Sequence, residues 1–270
     1  MLSRTHALAR RLRALRNDAT LRDAEGVFVA EGIHLAVEAL DAGAAIDAAV
    51  TSSRIQSDAE GREVARRLGA AGVPVHMTSQ AILDGLQDAR SPQPVVLIVR
   101  RKQADLDAVL AGRGGTPLVV VACGVQEPGN LGALWRTADA AGATGLVATP
   151  GSASLTHPRS VRASMGSIFR LAAVEAELGE VLQKVHGAPY TVLGADVRRG
   201  SDYDEVDWSK PIALLLGGEG SGLPEAIADG IDERVRIPMA RGVESLSVNA
   251  AAAVLLFEAA RRRRSINRAG

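Results

Sequence analysis

The sequence predicts two α/β domains, the second of which is built on a mostly parallel β-sheet. With 270 residues the chain is long for one domain, so two domains are the better expectation. Apolar runs that suit buried strands alternate with helical segments along the chain, which is typical of layered α/β folds. A Gly- and Pro-rich stretch, Ala111–Pro117, interrupts this alternation. We therefore expect a first domain over residues 1–112 and a second over residues 113–270.

The first domain is predicted to alternate short strands and helices. Its strands are expected at Gly26–Glu31, Ile46–Ser52, Val73–Met77 and Val95–Arg100, and its helices at Gly32–Ala42 and Ala59–Ala71. The N-terminal segment carries Leu8, Leu12 and Leu15 at helical spacing. This spacing predicts an amphipathic helix that covers one face of the domain.

The second domain is predicted to repeat a strand–helix–strand pattern. Its strands are expected at Leu118–Cys123, Gly145–Ala148, Tyr190–Ala195, Ile212–Leu216 and Val235–Met239, and its helices at Leu131–Ala141, Glu180–His186 and Val248–Ala260. Asn130 follows a Pro-Gly turn and is expected to be the N-cap of its helix. The segment Ser152–Arg170 is expected to form a loop and a helix of this domain. The order implies a parallel sheet with its site at the carboxyl ends of the strands.

Composition excludes several classes of protein. The chain has one cysteine, Cys123, which excludes an intramolecular disulfide and a metal site made of cysteines. Its five histidines are scattered, and none pairs at metal-ligand spacing, so we expect no metal. No apolar stretch reaches the roughly 18 residues that a membrane-spanning helix needs. A cytoplasmic protein is the default expectation.

The formal net charge is +0, yet the arginines are clustered. The three groups are Arg4, Arg10, Arg11, Arg13, Arg16 and Arg22; Arg159, Arg162 and Arg170; and Arg261, Arg262, Arg263, Arg264 and Arg268. Local charge rather than summed charge decides whether a surface binds phosphates. Each group is therefore either a phosphate-binding patch or a solvated helix face.

A glycine-dense turn, Gly217–Gly222, follows a buried strand and holds one carboxylate, Glu219. The spacing does not match the dinucleotide-binding fingerprint G-x-G-x-x-G. Ser221 lacks the G-x-S-x-G context of a nucleophile elbow, and no P-loop is present. Two interpretations remain: a backbone-lined pocket with one carboxylate, or a tight turn that uses glycine only for its conformational freedom.

A second polar loop lies close to this turn in the sequence. The strand Val235–Met239 is expected to end in a loop that carries Glu244, Ser245, Ser247 and Asn249 into an Ala/Leu-rich helix. A helix N-terminus offers free backbone N–H donors. The two loops are therefore expected to build one small-molecule pocket.

Three segments of the second domain carry motifs. The first is Asn130-Leu131-Gly132 followed by Arg136-Thr137-Ala138, the second is Leu216-Gly217-Gly218-Glu219-Gly220 with Gly222-Leu223, and the third is Ile237-Pro238-Met239 followed by Glu244-Ser245-Leu246-Ser247-Val248-Asn249. Together they resemble the three motifs of the SpoU-type RNA 2′-O-ribose methyltransferases of the SPOUT class. Phe28-Val29-Ala30-Glu31-Gly32 is similar to the substrate-binding domain often fused to these enzymes. The resemblance covers nearly the whole chain.

The third motif departs from the family pattern. The family usually reads Ser-Leu-Asn-Val-Ser, whereas this chain has Ser245-Leu246-Ser247-Val248-Asn249. The asparagine and the second serine are exchanged, so the polar side chains are the same set in a different order. The sequence leaves open whether this exchange is a tolerated rearrangement or alters the substrate geometry.

The resemblance implies a C-terminal trefoil-knotted, mostly parallel sheet preceded by a small ribosomal-protein-like α/β domain that binds the RNA substrate. S-adenosylmethionine would lie in the knot, held by backbone groups. By motif match its contacts would come from Gly217, Gly218, Ile237, Met239 and Leu246. The resemblance also implies a homodimer whose two knots pack together.

The same resemblance assigns catalytic residues. In the family the arginine of the first motif, here Arg136, is proposed to take the proton of the ribose hydroxyl. A guanidinium is a poor base, so Arg136 could instead clamp the adjacent phosphate and stabilise the developing alkoxide. Asn130 and Glu219 would orient Arg136 and the ribose. Ser245, with Ser247 or Asn249, would complete the polar wall.

The sequence thus predicts an S-adenosylmethionine-dependent RNA 2′-O-methyltransferase that acts on ribosomal RNA. A methyltransferase of the same fold acting on transfer RNA is one alternative. A catalytically silent RNA-binding protein that kept the fold is another. The long N-terminal domain favours ribosomal RNA, and the retained Arg136, Asn130 and Glu219 favour an active enzyme.

Overall fold

The structure is a computed structural model that describes residues 1–88, 91–112, 114–219, 222–241 and 243–269. Gly220 and Ser221 of the glycine turn lie outside the described residues. The side chains at 226 and 266–269, including that of Arg268, also lie outside them. The chain divides into two compact units: Met1–Lys102 with Thr156–Arg170, and Gln103–Leu155 with Leu171–Gly270. This division places residues 103–112 with the second part of the chain rather than the first.

The helices and strands follow in chain order. They are α1 (Ala7–Asn17), α2 (Ala19–Glu25), β1 (Val27–Glu31), α3 (Ile33–Asp41), β2 (Ile46–Thr51), α4 (Ala59–Ala70), β3 (Val75–Met77), α5 (Gln80–Asp84), β4 (Val95–Arg100), α6 (Leu106–Ala111), β5 (Leu118–Cys123), α7 (Pro128–Ala140), β6 (Gly145–Ala148), α8 (Pro158–Ala163), α9 (Ser167–Arg170), β7 (Ala173–Glu175), α10 (Leu178–His186), β8 (Thr191–Ala195), β9 (Ser201–Asp202), β10 (Ile212–Gly217), β11 (Glu233–Arg236) and α11 (Val248–Ala269). Two 3₁₀ turns lie at Ser53–Gln56 and Glu225–Gly230.

The first unit is a four-stranded sheet covered on both faces. The strand order is β1-β4-β2-β3, with antiparallel pairing of β4 to β1 and β2 and parallel pairing of β2 with β3. Because alternate residues of a strand point to opposite faces, Val95, Leu97 and Val99 of β4 join one core cluster, with α3 and α4. Val96 and Ile98 join the other, with α1 and α5. Leu12 and Leu15 are buried in that second cluster, which confirms the predicted amphipathic N-terminal helix.

The segment that holds α8 and α9 packs in the first unit, although the sequence placed it in the second domain. Val161 is fully buried in the first unit's core, and Phe169 packs its ring against Phe28 with 5.9 Å between the ring centroids. Arg162 Nη1 donates to the buried carboxylate of Glu31 at 3.1 Å. The arginines at 162 and 170 therefore serve ion pairs inside the unit, Arg170 with Glu38, rather than an open phosphate patch.

The second unit is built on a seven-stranded sheet in which all the pairings of the described strands are parallel. The strand order is β7-β6-β5-β10-β8-β11-β9. β10 lies between β5 and β8, and its run from Ile212 to Leu216 is buried. Continuous apolar strands of this kind suit a sheet covered on both faces. The predicted mostly parallel sheet is confirmed.

Two of the boundaries that differ from the prediction lie in the last two elements of the second unit. The last strand ends at Arg236 instead of Met239, because Pro238 has no N–H to continue a ladder. The last helix runs to Ala269 instead of Ala260. Its extension is rich in arginine, a good helix former, and Glu258 pairs one turn ahead with Arg261 and Arg262.

Arg263 fixes the C-terminal part of α11 to the start of two central strands. Its guanidinium donates to the carbonyl oxygens of Trp208, Thr116, Pro117 and Lys210 at 2.6–3.0 Å. Burial lowers the pKa of this guanidinium, yet four carbonyl acceptors satisfy its donors. We infer that Arg263 acts as a structural clamp and is not free to bind phosphate.

Replacing Arg263 with alanine is expected to lower the free energy of unfolding by about 2 to 3 kcal/mol, since the charged hydrogen bonds are lost and their acceptors stay near the protein interior. Chemical denaturation at neutral pH measures this effect. Arg264→Ala is the matched control: Arg264 is exposed and makes no hydrogen bond to the described residues, so its loss should cost less than about 0.5 kcal/mol. Equal losses of unfolding free energy for Arg263→Ala and Arg264→Ala would contradict the structural role of Arg263.

The carboxylate of Glu258 gives α11 a pH-dependent contribution to stability. Hydrogen bonds from Arg261 and Arg262 lower the pKa of Glu258 from 4.5 to about 2, although burial acts to raise it. A depressed carboxylate pKa stabilises the fold above the unfolded value and loses this effect as the pH falls. We expect Glu258→Gln to lower the melting temperature at pH 7, and the gap to the parent protein to shrink from pH 4.5 towards pH 2. A gap that stays constant over this range would contradict the assignment.

Candidate active site

A cavity of about 210 Å³ lies at the carboxyl ends of three neighbouring strands of the second unit. It is lined by residues from the ends of β8, β10 and β11, from the loop after β11, and from the first turns of α11. They are Ala195, Asp196, Val197, Leu216, Gly217, Gly218, Glu219, Gly222, Val235, Ile237, Met239, Ser245, Leu246, Val248, Ala251 and Leu255. Ligand sites of parallel α/β sheets lie at this edge.

The glycine turn forms one wall of the cavity. Gly218 pairs with Gly222 across the turn, and Gly222 has a φ of +63°, which favours glycine. A Cβ added to Gly217 would lie 2.6 Å from the amide nitrogen of Leu223 and nearer still to the carbonyl group of Gly222. Gly217 is thus required because the two ends of the glycine turn, at Gly217 and at Gly222–Leu223, are in contact and leave no space for a side chain.

The loop after β11 and the start of α11 form the opposite wall. All five residues that the sequence assigned to the cofactor, two in the glycine turn and three in this loop, line the cavity: Gly217, Gly218, Ile237, Met239 and Leu246. Most of the walls are aliphatic side chains, and polar backbone groups lie at the strand ends. A cavity of this kind suits a partly apolar ligand that is recognised through backbone hydrogen bonds.

A cluster of polar side chains joins the three motif segments. Asn249 Nδ2 donates to Asn130 Oδ1 at 3.1 Å. Asn130 Nδ2 in turn donates to Glu219 Oε1. The amide of Asn130 is therefore held from both sides. Glu219 also lines the cavity, and its second carboxylate oxygen has no hydrogen-bond partner among the described residues.

The backbone of Asn130 is fixed by a residue that the sequence analysis missed. The predicted N-cap, Asn130, is wrong: α7 begins at Pro128, and Glu127 is its N-cap. The Glu127 carboxylate accepts the N–H of Asn130 at 2.7 Å. Proline at the first helical position was the signal that places the start of the helix earlier. Asn130 thus lies within the first turn and directs its side chain to the polar cluster.

The exchanged residues of the third motif have different places in the structure. Ser247 precedes α11 and accepts the N–H of Ala250 through its Oγ at 3.3 Å, which is the geometry of an N-cap. Asn249 lies in the first turn of α11 and contacts Asn130. The amide at position 249 therefore belongs to the polar cluster, whereas the hydroxyl at position 247 serves the helix. Ser245 lines the cavity.

Arg136 lies apart from this cluster. It is exposed on α7 and makes no hydrogen bond or ion pair to the described residues. Arg136 is six positions after Asn130, so it lies about 9 Å further along the helix axis and about 120° around it. Among the described residues no hydrogen bond joins Arg136 to Asn130 or Glu219, and its side chain is available for a ligand.

Asp196 is a second site residue that the sequence analysis missed. It lines the cavity directly after β8 and accepts from Arg234 Nη1 at 2.9 Å. Burial acts to raise the pKa of Asp196, but the backbone N–H groups of Arg198 and Arg199 and the Arg234 guanidinium outweigh it, so this pKa is lowered. The rule that sites lie at the carboxyl ends of parallel strands would have pointed to it.

The described residues contain neither a metal-ligand cluster nor a membrane-spanning helix. Within those ranges no group of three or more His, Cys, Asp or Glu side chains is placed to hold a metal ion. No helix in the described part of the chain is long and apolar enough to cross a membrane. Cys123 is buried, and desolvation raises the pKa of its thiol to about 12, so the thiol stays protonated.

Two family models match this chain, one for each predicted domain. Residues 117–257 match the SpoU rRNA Methylase family, and residues 8–97 match the MRM3-like substrate binding domain. The chain is 28% identical over 238 residues to the 23S rRNA (guanosine(2553)-2'-O)-methyltransferase RlmP of Bacillus subtilis, covering 87% of this chain and 89% of the relative. It is 34% identical over 195 residues to the 23S rRNA (uridine(2479)-2'-O)-methyltransferase of Streptomyces viridochromogenes, covering 70% and 67%.

Solved structures show the same likeness over almost the whole chain. The SpoU methyltransferase AviRb of Streptomyces viridochromogenes, in complex with the cofactor AdoMet, has a TM-score of 0.84 at 30% identity and covers 96% of this chain and 99% of its own. An AdoMet-bound rRNA methyltransferase of Sinorhizobium meliloti has a TM-score of 0.83 at 30% identity, with 97% of each chain covered. This chain therefore belongs to the SpoU rRNA methylase family.

Proposed function

We propose that this protein transfers a methyl group from S-adenosylmethionine to a ribose 2′-hydroxyl in ribosomal RNA. One observation carries the proposal: the hydrogen bonds from Asn249 to Asn130 and from Asn130 to Glu219 join the three motif segments beside the cavity. The named rRNA 2′-O-methyltransferases among its relatives support the same reaction.

The chemistry of the cavity lining suits the cofactor. Aliphatic side chains of Leu216, Ile237 and Leu246 offer apolar contact to an adenine ring. The backbone of the glycine turn can approach a ligand closely because no Cβ intervenes. We expect these groups, with Gly218 and Met239, to hold S-adenosylmethionine, which supplies a methyl group already activated on a sulfonium centre. No metal is needed for this chemistry.

The protein's remaining task is to align the ribose hydroxyl and help it lose its proton. We expect Glu219, whose carboxylate Asn130 orients, to accept a hydrogen bond from the ribose 2′-hydroxyl. As the oxygen takes the methyl group and S-adenosylhomocysteine is released, the hydroxyl proton passes to this carboxylate or to solvent water. Ser245 adds a hydroxyl to the same wall. We propose that exposed Arg136 binds the phosphate beside the reacting ribose and stabilises the developing alkoxide. As a guanidinium it is a poor proton acceptor, so the clamp role is favoured over the base role.

Asn249 is expected to matter more than Ser247. Asn249→Ala removes the hydrogen bond that holds Asn130 and should lower kcat by about tenfold or more, whereas Ser247→Ala should lower the melting temperature through loss of an N-cap worth about 1 kcal/mol. Rates and melting temperatures of the two variants separate these effects. If Ser247→Ala costs more in kcat than Asn249→Ala, the placement of the exchanged pair is refuted.

We propose that the first unit binds folded ribosomal RNA and that the second carries out the transfer. The match to a substrate-binding domain model supports this division. Within the N-terminal arginine group, Arg11 pairs with Glu25 and Asp47, and Arg16 donates to the carbonyls of Gly85 and Gln87. Arg4 and Arg10 are exposed with no side-chain partner among the described residues, so they are the better candidates for phosphate contacts.

We further propose a trefoil knot, a homodimer and a cytoplasmic location. The knot is supported by the closeness of the loop after β11 to the β10 turn, since both line one cavity. The dimer is supported by α11, which buries Ala252, Leu255 and Leu256 on one side while Phe257 stays 46% exposed on the other. Sedimentation should show a dimer at micromolar concentration, and a monomer would refute it.

The reaction is tested by mapping ribose methyl groups in RNA from a deletion strain and its parent. A 2′-O-methyl group protects the adjacent phosphodiester from alkali, so a lost modification appears as a new cleavage. We expect one ribosomal RNA position to lose protection and to regain it when the parent gene is restored. A change confined to transfer RNA would show that transfer RNA is the substrate instead of ribosomal RNA. Unchanged cleavage profiles for both RNAs would refute the proposal.

A further inference from the structure

A tight turn after β8 presents two arginines beside the cofactor cavity. Asp196 Oδ1 accepts the backbone N–H groups of Arg198 at 2.8 Å and Arg199 at 3.1 Å. Its Oδ2 accepts from Arg234 of β11 at 2.9 Å. An aspartate that bonds its own turn in this way fixes the loop conformation. The side chains of Arg198 and Arg199 therefore project from a preorganised turn rather than from a loose loop.

The far end of this turn is held just as closely. Gly200 has a φ of +111°, and a Cβ there would lie 2.8 Å from the Cβ of Arg234 and nearer still to its carbonyl. The next residue, Ser201, pairs with Val235 in the parallel ladder of β9 and β11. Both ends of the turn are therefore anchored to β11, the strand that borders the cavity.

The turn borders an open cleft that adjoins the cofactor cavity. The cleft encloses about 530 Å³ and is lined by Val197, Arg198, Arg236, Ile237, Pro238, Met239, Val243 and Glu244. Val197, Ile237 and Met239 also line the cofactor cavity. A ligand in the cleft would therefore lie directly beside the bound cofactor.

The loop segments that border the cleft carry more unpaired positive than negative side chains among the described residues, within a chain of net charge +0. The nearby carboxylates of Asp196 and Asp202 are already paired, with Arg234 and Arg236 at 2.9 and 2.7 Å. By contrast, three exposed arginines have no side-chain hydrogen bond or ion pair among the described residues: Arg198, Arg199 and Arg241, the last within the turn from Ala240 to Val243. Glu244 is the one lining carboxylate that has no described partner.

We propose that Arg198, Arg199 and Arg241 form an arginine rim that binds backbone phosphates of the RNA strand next to the target nucleotide. This inference rests on the proposed function, because a ribose that reaches the cavity brings its flanking phosphates with it. Guanidinium groups match phosphate oxygens in pairs. Val197 and Val243 are 46% and 49% exposed, and they offer an apolar surface to a base between the cations. The second unit then holds RNA itself, in addition to the first.

The test uses the full-length protein and a fluorescent single-stranded oligouridylate as the probe, since phosphate contacts do not depend on sequence. Removing three phosphate contacts from a single strand should flatten the plot of log affinity against log salt concentration by about 2. We therefore expect this change for the triple variant Arg198→Gln, Arg199→Gln and Arg241→Gln. Arg264→Gln is the control, because Arg264 is exposed on α11 and has no described side-chain partner. It should leave the slope unchanged.

Two further measurements on the triple variant identify the ligand. Calorimetry should give an unchanged affinity for S-adenosylmethionine, and sedimentation an unchanged oligomeric state. The proposed arginine rim would be overturned if the triple variant had an unchanged salt slope, or if Arg264→Gln flattened the slope equally. Weakened cofactor binding would instead assign the arginines to the cofactor's carboxylate, and a changed oligomeric state would assign them to a protein interface; either result overturns the proposal. If the parent protein methylates no RNA, the proposed function fails, whereas the salt slope still decides whether the rim binds RNA.

Discussion

Replacement of Arg136 by alanine is expected to lower kcat by about 100-fold or more, the scale of a lost transition-state donor. The affinity for S-adenosylmethionine should change little, because Arg136 lies outside the cavity lining. The melting temperature should also stay close to that of the parent, since this exposed side chain makes no hydrogen bond or ion pair to the described residues. A rate loss would therefore report on the reaction and not on folding.

Arg136→Lys tests whether Arg136 acts by binding a phosphate through two hydrogen bonds or only by its positive charge. A lysine cannot bind a phosphate through two parallel hydrogen bonds, so this variant should also be slow. Single-turnover methyl transfer to ribosomal RNA gives the rate, and calorimetry gives the cofactor affinity. A near-normal rate for Arg136→Ala would remove Arg136 from the catalytic residues and leave Glu219 and Asn130 as the candidates.

Substitution of Gly217 is expected to abolish detectable binding of S-adenosylmethionine. Even alanine would force its Cβ against the backbone of Gly222 and Leu223, so the two arms of the turn must separate and the cavity wall must move. The cause is a steric clash within the protein, which weakens cofactor binding only because it displaces the cavity wall. Calorimetry of Gly217→Ala measures the effect, and its melting temperature shows whether the rest of the fold is retained.

Two other glycines provide controls for this variant. A Cβ at Gly222 meets nothing within 4 Å, although its φ of +63° adds strain, so Gly222→Ala should weaken binding less than Gly217→Ala. Gly179 in α10 has open space around a Cβ and lies outside the cavity lining. Gly179→Ala should bind the cofactor normally. Unchanged affinity for Gly217→Ala would show that the glycine turn is not part of the cofactor site.

Much of the second unit could be predicted from sequence because its central strands are continuous apolar runs. The predicted bounds of β5 and β6, Leu118–Cys123 and Gly145–Ala148, agree with the structure. The resemblance also selected five residues that line one cavity, although they come from segments about twenty positions apart. Motif order on a parallel sheet was sufficient here, since strand carboxyl ends meet at one edge.

Other features depend on contacts that no local pattern encodes. The segment with α8 and α9 packs in the first unit because Val161 and Phe169 complete that core. Composition alone could not separate the clamping guanidinium of Arg263 from its exposed neighbour Arg264. The exchange in the third motif was also undecided from sequence. The contact of Asn249 with Asn130 depends on the packing of α11 against α7, which the motif does not specify, and this packing leaves Ser247 as the N-cap.

Incubation of the purified protein with methyl-labelled S-adenosylmethionine and protein-free ribosomal RNA, followed by digestion to nucleosides, tests the proposed reaction itself. We expect label in one 2′-O-methylnucleoside, with transfer strongly reduced by Arg136→Ala and absent with Gly217→Ala. Label in a base-methylated nucleoside, in transfer RNA alone, or in neither RNA would contradict the proposed reaction.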